Sequence, residues 1–344
     1  MRTSLKMLLA MAVAMAAGSA QAGMLAAQLQ AAAGNYTVAA QEYRPLAESG
    51  DAVAQAKLAQ LYLLGKGVPQ DDAQALAWSR KSADQGNVDA QYVLGFMNFN
   101  GRGVARDDKE AAVWYGKAAA QGDAEAQFYL GMLYVDGRGV LQDDAQAAAW
   151  FRKAADQGDQ QAQYALGTLY ADGRGVAKDD KTAFAWFEKA AAQGNPAAEF
   201  RLGMMYDLGR GVSADGEKAV SWYKKAADHG DASASFVLGT IYDDGRGISK
   251  DEKAALTWYK KAAGRGDALA ESSLGEMYFT GRGVNSNDRE ALSWYRKAAE
   301  QGDADAQLST AVMYDLGLGV KPNPREAEVW YLKAQESRML ATNP

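Results

Sequence analysis

All eight tryptophans of the chain, at positions 78, 114, 150, 186, 222, 258, 294 and 330, stand 36 residues apart, with no insertion or deletion between them. A Lys follows each by three positions, from Lys81 to Lys333, and an Ala precedes each by three, from Ala75 to Ala327. Gly50, Gly86, Gly122, Gly158, Gly194, Gly230, Gly266 and Gly302 open the units at the same spacing. A fixed period of this size means stacked supersecondary units, none of which can bury its apolar face without its neighbours. A chain of 344 residues built this way is a solenoid of eight units rather than one small core.

One unit, Gly122 to Gln157, carries the start and stop signals of two helices. Asp123 can cap the first, in which Ala126, Leu130, Leu133 and Tyr134 recur at helical spacing. Gly137-Arg138-Gly139-Val140 breaks it. Asp143 or Asp144 caps the second, whose buried side runs through Ala147, Trp150, Phe151, Ala154 and Ala155 until Gly158 stops it. Neither stretch has a period of two, so the fold is expected to be all-α. Six units carry a glycine in the middle of the first helix, at 95, 131, 167, 203, 239 and 275, where it costs about 1 kcal/mol against Ala. Close approach of helix backbones is the expected compensation. Ala59 and Ala311 replace that glycine in the end units, which pack on one side only.

The segments Ala126-Gln127-Phe128-Tyr129-Leu130-Gly131-Met132-Leu133-Tyr134, Gly137-Arg138-Gly139-Val140 and Ala149-Trp150-Phe151-Arg152-Lys153-Ala154-Ala155 resemble the Sel-1-like repeat, a relative of the tetratricopeptide repeat. The resemblance covers residues 50–335 in eight in-register copies. It implies a right-handed superhelical α-solenoid of helix-turn-helix repeats, used as an adaptor or binding surface in signalling, secretion, envelope assembly and host contact. Bacterial members include immunity proteins that neutralise toxic effectors. One cysteine-rich branch is linked to β-lactam binding, and this chain has none of that branch's per-repeat cysteines. Residues 23–49 keep only Ala39, Tyr43 and Ala47 in phase and read as a degenerate N-terminal capping helix pair, with 336–344 as a tail.

Arg2 and Lys6, the apolar run Met7–Ala17 and the small residues Ala20-Gln21-Ala22 compose a signal peptide, residues 1–22, cleaved after Ala22. An 11-residue run is about 16 Å long as a helix, half of a ~30 Å hydrocarbon core, so a permanent span is not expected. The location implied is the periplasm or the medium. Losing Arg2 and Lys6 takes the formal charge from −6 to −8, which disfavours nucleic acid and anionic membranes. With no Cys and one His, thiol catalysis, disulfides and multi-His metal sites are excluded. His229 is expected to be solvated at a helix C-terminus. Ser221-Trp222-Tyr223-Lys224 matches S-x-x-K, but no K-T-G or S-D-N accompanies it and Ser221 occupies an ordinary repeat slot. The Trp ladder and the basic residue of each G-R-G turn read as structural, the latter offset by nearby Asp pairs such as Asp107 and Asp108. No catalytic residue, metal or cofactor is implied.

The first helix of each unit has two apolar sides, since it lies between neighbours. The wedge between those sides, at 125, 129, 132 and 136 in the unit from Gly122, faces a concave groove. Across the array it presents Val93 and Phe96, Tyr129 and Met132 with Asp136, Arg201 and Met204, and Asp244. Apolar and aromatic groups mixed with charge suit a protein partner. The reading is a non-catalytic scaffold, expected to be a monomer, that binds a protein in its groove. The alternatives are an immunity protein occluding an envelope-acting enzyme and a weak β-lactam-binding hydrolase.

Overall fold

The computed structural model describes residues 19–342, and over these the chain is helical with no strand. The signal-peptide reading falls on residues 1–22, of which 1–18 lie outside the described residues. An N-terminal pair, α1 (Ser19–Ala32) and α2 (Tyr36–Glu48), precedes the repeats. Then come α3 (Ala52–Leu64) with α4 (Asp72–Ala83), α5 (Val88–Asn100) with α6 (Asp108–Ala120), and α7 (Ala124–Asp136) with α8 (Asp144–Asp156). They are followed by α9 (Gln160–Asp172), α10 (Asp180–Ala192), α11 (Pro196–Leu208) and α12 (Gly216–Asp228). The last six are α13 (Ala232–Asp244), α14 (Glu252–Ala263), α15 (Ala268–Thr280), α16 (Asp288–Glu300), α17 (Ala304–Leu316) and α18 (Pro324–Thr342). The segment expected as a tail is therefore helical through Thr342. The chain divides into two compact units, Met1–Lys178 and Asp179–Pro344, and each is an all-α stack of helix pairs.

Helix ends follow from local chemistry. The Asp123 carboxylate accepts from the Ala126 N–H at 2.7 Å, and Asp143 accepts from Ala145 and Gln146, so the orphan donors of α7 and α8 are satisfied. Gly137, with φ 64°, ends α7 in the left-handed region and donates to the Leu133 carbonyl. Gly139, with φ 72°, is a glycine for a second reason: a Cβ there would collide with the backbone of Asp108 in the preceding repeat. The G-R-G turn is thus the seam along which one repeat rests on the previous one.

The arginine of that turn completes the seam. Arg138 grips Asp108 through two nitrogens at 3.0 and 2.9 Å, and Arg102–Asp72, Arg174–Asp144 and Arg210–Asp180 repeat the bidentate pair. Hydrogen bonds from Arg138 and then Arg106 hold the Asp108 carboxyl well below the usual carboxylate range. Position 216 is Gly instead of Asp, and Arg246 reaches Asp207 at 3.0 Å instead; Arg282 likewise takes Asp243. The N-terminal pair joins the same way without an ion pair, with Lys66 over the Tyr36 ring.

Each tryptophan carries its lysine: in all eight repeats the ammonium lies 3.6–4.7 Å from the ring centroid. The alanine three before each tryptophan is buried throughout. A polar rung also crosses successive repeats. Buried Gln127 donates to the Ala119 carbonyl and accepts from Gln157. In the second unit the same rung is Glu199 with His229 at 2.8 Å, and Glu271 with Gln301. His229 is exposed at the C-terminus of α12, as expected, and its ring also holds the buried Glu199 carboxylate.

The mid-helix glycines have a different cause from close backbones. A Cβ on Gly95, Gly131, Gly203, Gly239 or Gly275 would stand 2.5–2.7 Å from the ring of Tyr115, Phe151, Tyr223, Tyr259 or Tyr295, the residue that follows each tryptophan. The aromatic side chain of the second helix lies flat against the first. In the first repeat the pair is Ala59 with Ser79, both fully buried, so a smaller partner admits a larger residue. At Ala311 the corresponding Tyr331 is 38% exposed. End position is not the reason; the partner twenty residues on is.

Candidate functional site

The 4-3-4 spacing sets one line of side chains along each first helix. In the unit Met1–Lys178 the lines are Val53, Lys57, Gln60 and Leu64 on α3, Asp89, Val93, Phe96 and Asn100 on α5, Glu125, Tyr129, Met132 and Asp136 on α7, and Gln161, Ala165, Thr168 and Asp172 on α9. Both ends of every line are exposed, while the middle positions are half-buried or deeper. On α7 acidic groups thus sit at both margins and apolar ones in the floor, whereas α3 carries Lys57 and no acid.

Two of the expected groove residues are less open than the spacing suggested. Val93 is 5% exposed and belongs to the core cluster around Leu58, Trp78 and Met97. Tyr129 is half-buried because its ring stacks on Tyr115 at 5.3 Å and 11°, and meets Phe99 at 6.1 Å and Tyr92 at 6.2 Å. Such ring pairs are worth about 0.5–1.5 kcal/mol beyond area burial, so Tyr129 is floor as well as surface. Phe96 packs on two core clusters with part of its ring open. Met132 is half-buried and Asp136 fully exposed.

Tyr92, Phe99 and Tyr115 complete this aromatic floor, although they lie off the line. Tyr115 could have been found from its place after Trp114; Tyr92 and Phe99 give no local signal, since their role depends on that ring. Burial, then the charge of Glu125 and a hydrogen bond to it, pushes the Tyr92 hydroxyl up, and burial does the same to Tyr115. Both are neutral donors at ordinary pH. The Tyr115 hydroxyl, fully buried, has no hydrogen-bond partner. Arg138 covers the other side of Phe99 at 4.4 Å.

In the unit Asp179–Pro344 the same line is more polar. On α11 Arg201 is half-exposed and Met204 packs against the cluster of Tyr223 and Leu238. On α13 Val237 is half-buried and Asp244 exposed. The lines of α15 and α17 place Ser273 and Ser309 where α7 has Tyr129, and each donates to a carbonyl of its own helix, Leu269 or Asp305. Ser221 is exposed on α12 and Lys224 lies over the Tyr242 ring, which gives the S-x-x-K match no shared site. Among the described residues no group of His, Asp and Glu has metal-binding geometry, and no helix is long and apolar enough to cross a membrane.

The model of the Sel1 repeat matches eight consecutive segments, 52–87, 88–123, 124–159, 160–195, 196–231, 232–267, 268–303 and 304–336. The chain belongs to the Sel1-repeat family. Each matched segment starts at the first residue of a first helix, so one Sel1 repeat is one helix pair of the fold. Among solved structures it is similar to c5321, a protective antigen present in uropathogenic Escherichia coli strains and displaying an SLR fold. The identity is 36%, the TM-score 0.82, and the match covers 92% of this chain and 69% of that one. A Sel1 repeat protein from Oxalobacter formigenes is similar at 35% identity and a TM-score of 0.69, over 88% of this chain and 89% of that chain. No curated protein matches. Sel1-repeat proteins generally mediate protein–protein interactions and are typically non-catalytic scaffolds.

Proposed function

We propose that this Sel1-repeat protein is a non-catalytic scaffold, exported by a signal peptide cleaved after Ala22, that binds a protein partner along the first-helix lines. The observation that carries the reading is the open part of Phe96, Tyr129 and Met132, apolar surface on a face that no neighbouring repeat covers. Elsewhere the repeats satisfy themselves: the tryptophans hold lysines, the turn arginines hold aspartates, and the rungs join buried amides. Val93 supports this surface from beneath, and in the second unit the corresponding line carries Arg201, Met204 and Asp244. Tyrosine, methionine and arginine are the residue types enriched where protein interfaces concentrate their energy.

The test is site-specific photo-crosslinking in the native compartment. A crosslinker at Met132 is expected to give a discrete adduct with one protein, while one at Val113, exposed on a second helix, gives none. The opposite result would move the binding face to the second helices. Sequencing the N-terminus of the purified protein checks the cleavage and is expected to begin at Gly23.

A further inference from the structure

We infer that the floor in the unit Met1–Lys178 takes a basic, amphipathic helix of a partner protein, an inference that rests on the groove reading above. The α7 line runs acid, apolar, apolar, acid in Glu125, Tyr129, Met132 and Asp136, and its neighbours α5 and α9 keep one acidic end each, Asp89 and Asp172. Positions 125 and 136 are about 16 Å apart at ~1.5 Å per residue, and a helix with its side chains is ~10–12 Å wide. A partner helix crossing the first helices therefore fits between two acidic margins, Glu125 on one side and Asp136 with Asp172 on the other.

The charges of these margins are available. Asp136, Asp172 and Glu125 are exposed and, among the described residues, enter no ion pair. The Tyr92 hydroxyl faces Glu125. Arg174, the guanidinium that feels both Asp136 and Asp172, is committed through two bonds to Asp144. Asp89 differs, since Lys57 neutralises it at 2.8 Å. Unpaired carboxylates beside a low-dielectric aromatic floor attract cations more strongly than the same groups on an open surface. Lysines or arginines flanking an apolar stripe meet both demands at once, the stripe on Phe96, Tyr129 and Met132 and the cations on the rims.

The experiment uses the full mature chain and three labelled peptides of about 14 residues, a length that spans ~21 Å as a helix. One carries a leucine stripe flanked by lysines in helical register, one has every lysine changed to glutamate, and one scrambles the first. Fluorescence anisotropy is expected to show the lysine peptide binding at least ~10-fold tighter than the other two, and Glu125→Lys/Asp136→Lys is expected to weaken it ~10-fold or more. Asp84→Lys/Asp156→Lys, the same charge change on exposed sites of second helices, is expected to stay within about twofold. No binding of the lysine peptide, equal binding of the glutamate or scrambled peptide, or equal loss in both double variants overturns the basic-helix inference. Met132→Ser separates it from the groove reading. If binding depends on Met132 but not on the rim charges, the groove stands and the basic class fails. If it depends on neither, both fail. All variants change exposed or half-exposed positions, and a circular-dichroism melt matching the parent confirms that each is folded.

Discussion

Tyr115 and Tyr295 occupy the same place in two repeats, each following a tryptophan and each lying flat against a glycine, yet they meet different neighbours. Tyr295 has the small Ser309 beside it, and burial pushes its hydroxyl up to about 12. Tyr115 is covered by the ring of Tyr129, and its hydroxyl has no partner. One residue on the next first helix decides the outcome. A serine there leaves a polar surface. An aromatic residue there covers the tyrosine, leaves its hydroxyl without a partner and builds an apolar floor.

The largest expected effect tests what both regions share. Gly131→Leu and Gly275→Leu should each destabilise by about 1–3 kcal/mol despite better helix propensity, since the side chain meets Phe151 or Tyr295. Thermal melts should fall alike in both units, and a stabilised variant would remove the ring-on-glycine explanation. The tyrosines themselves sharpen the contrast, because the expected signs are opposite. Tyr115→Phe removes a buried, unpartnered donor and should be neutral or stabilising by up to ~1 kcal/mol, whereas Tyr295→Phe removes a hydroxyl outside that buried, unpartnered class and should cost up to about 1 kcal/mol. Matching losses in urea denaturation would break the comparison.

A smaller effect belongs to the second unit alone. Burial pushes the Glu271 carboxyl up, in a slot that five of the other repeats fill with glutamine. A carboxyl raised in the fold destabilises it once it ionises, so the penalty is absent below the unfolded value of ~4.3 and complete above the folded one. Glu271→Gln should therefore raise stability at pH 7 and leave it unchanged near pH 3.5, as read from denaturant midpoints. Smallest is Arg106→Ala, which removes one exposed partner of Asp108 while Arg138 keeps the other; the thermal melt should be nearly unchanged.

Much of this was legible in the sequence because its causes are local. The tryptophan period, the capping Asp123 and Asp143, and the Gly137–Gly139 break each act within a few residues of where they stand. The line of side chains along each first helix followed from the 4-3-4 spacing alone. What the spacing could not tell was depth. Val93 sinks where the 36-residue correspondence sets it over the small Ser79, and Tyr129 is held by Tyr115, so the exposure of each depends on a residue of another helix. The mid-helix glycines were assigned to backbone contact for the same reason. Their partner lies twenty positions on, and only the exchange of Gly with an aromatic for Ala59 with Ser79 betrays it.

The displaced arginine clamps carry a consequence for how such arrays change length. Arg246 lost its usual acid at Gly216 and found Asp207, and Asp207 lies within the same matched repeat as Gly216. Asp243 stands in the same relation to Glu252. The acid moved, but it stayed inside the copy that supplies it to the next. Any of the first six repeats therefore offers one carboxylate to whichever arginine turn follows. Unequal recombination that duplicates or removes a whole 36-residue copy among them would leave every guanidinium facing an acid, so copy number can drift while the seams stay closed.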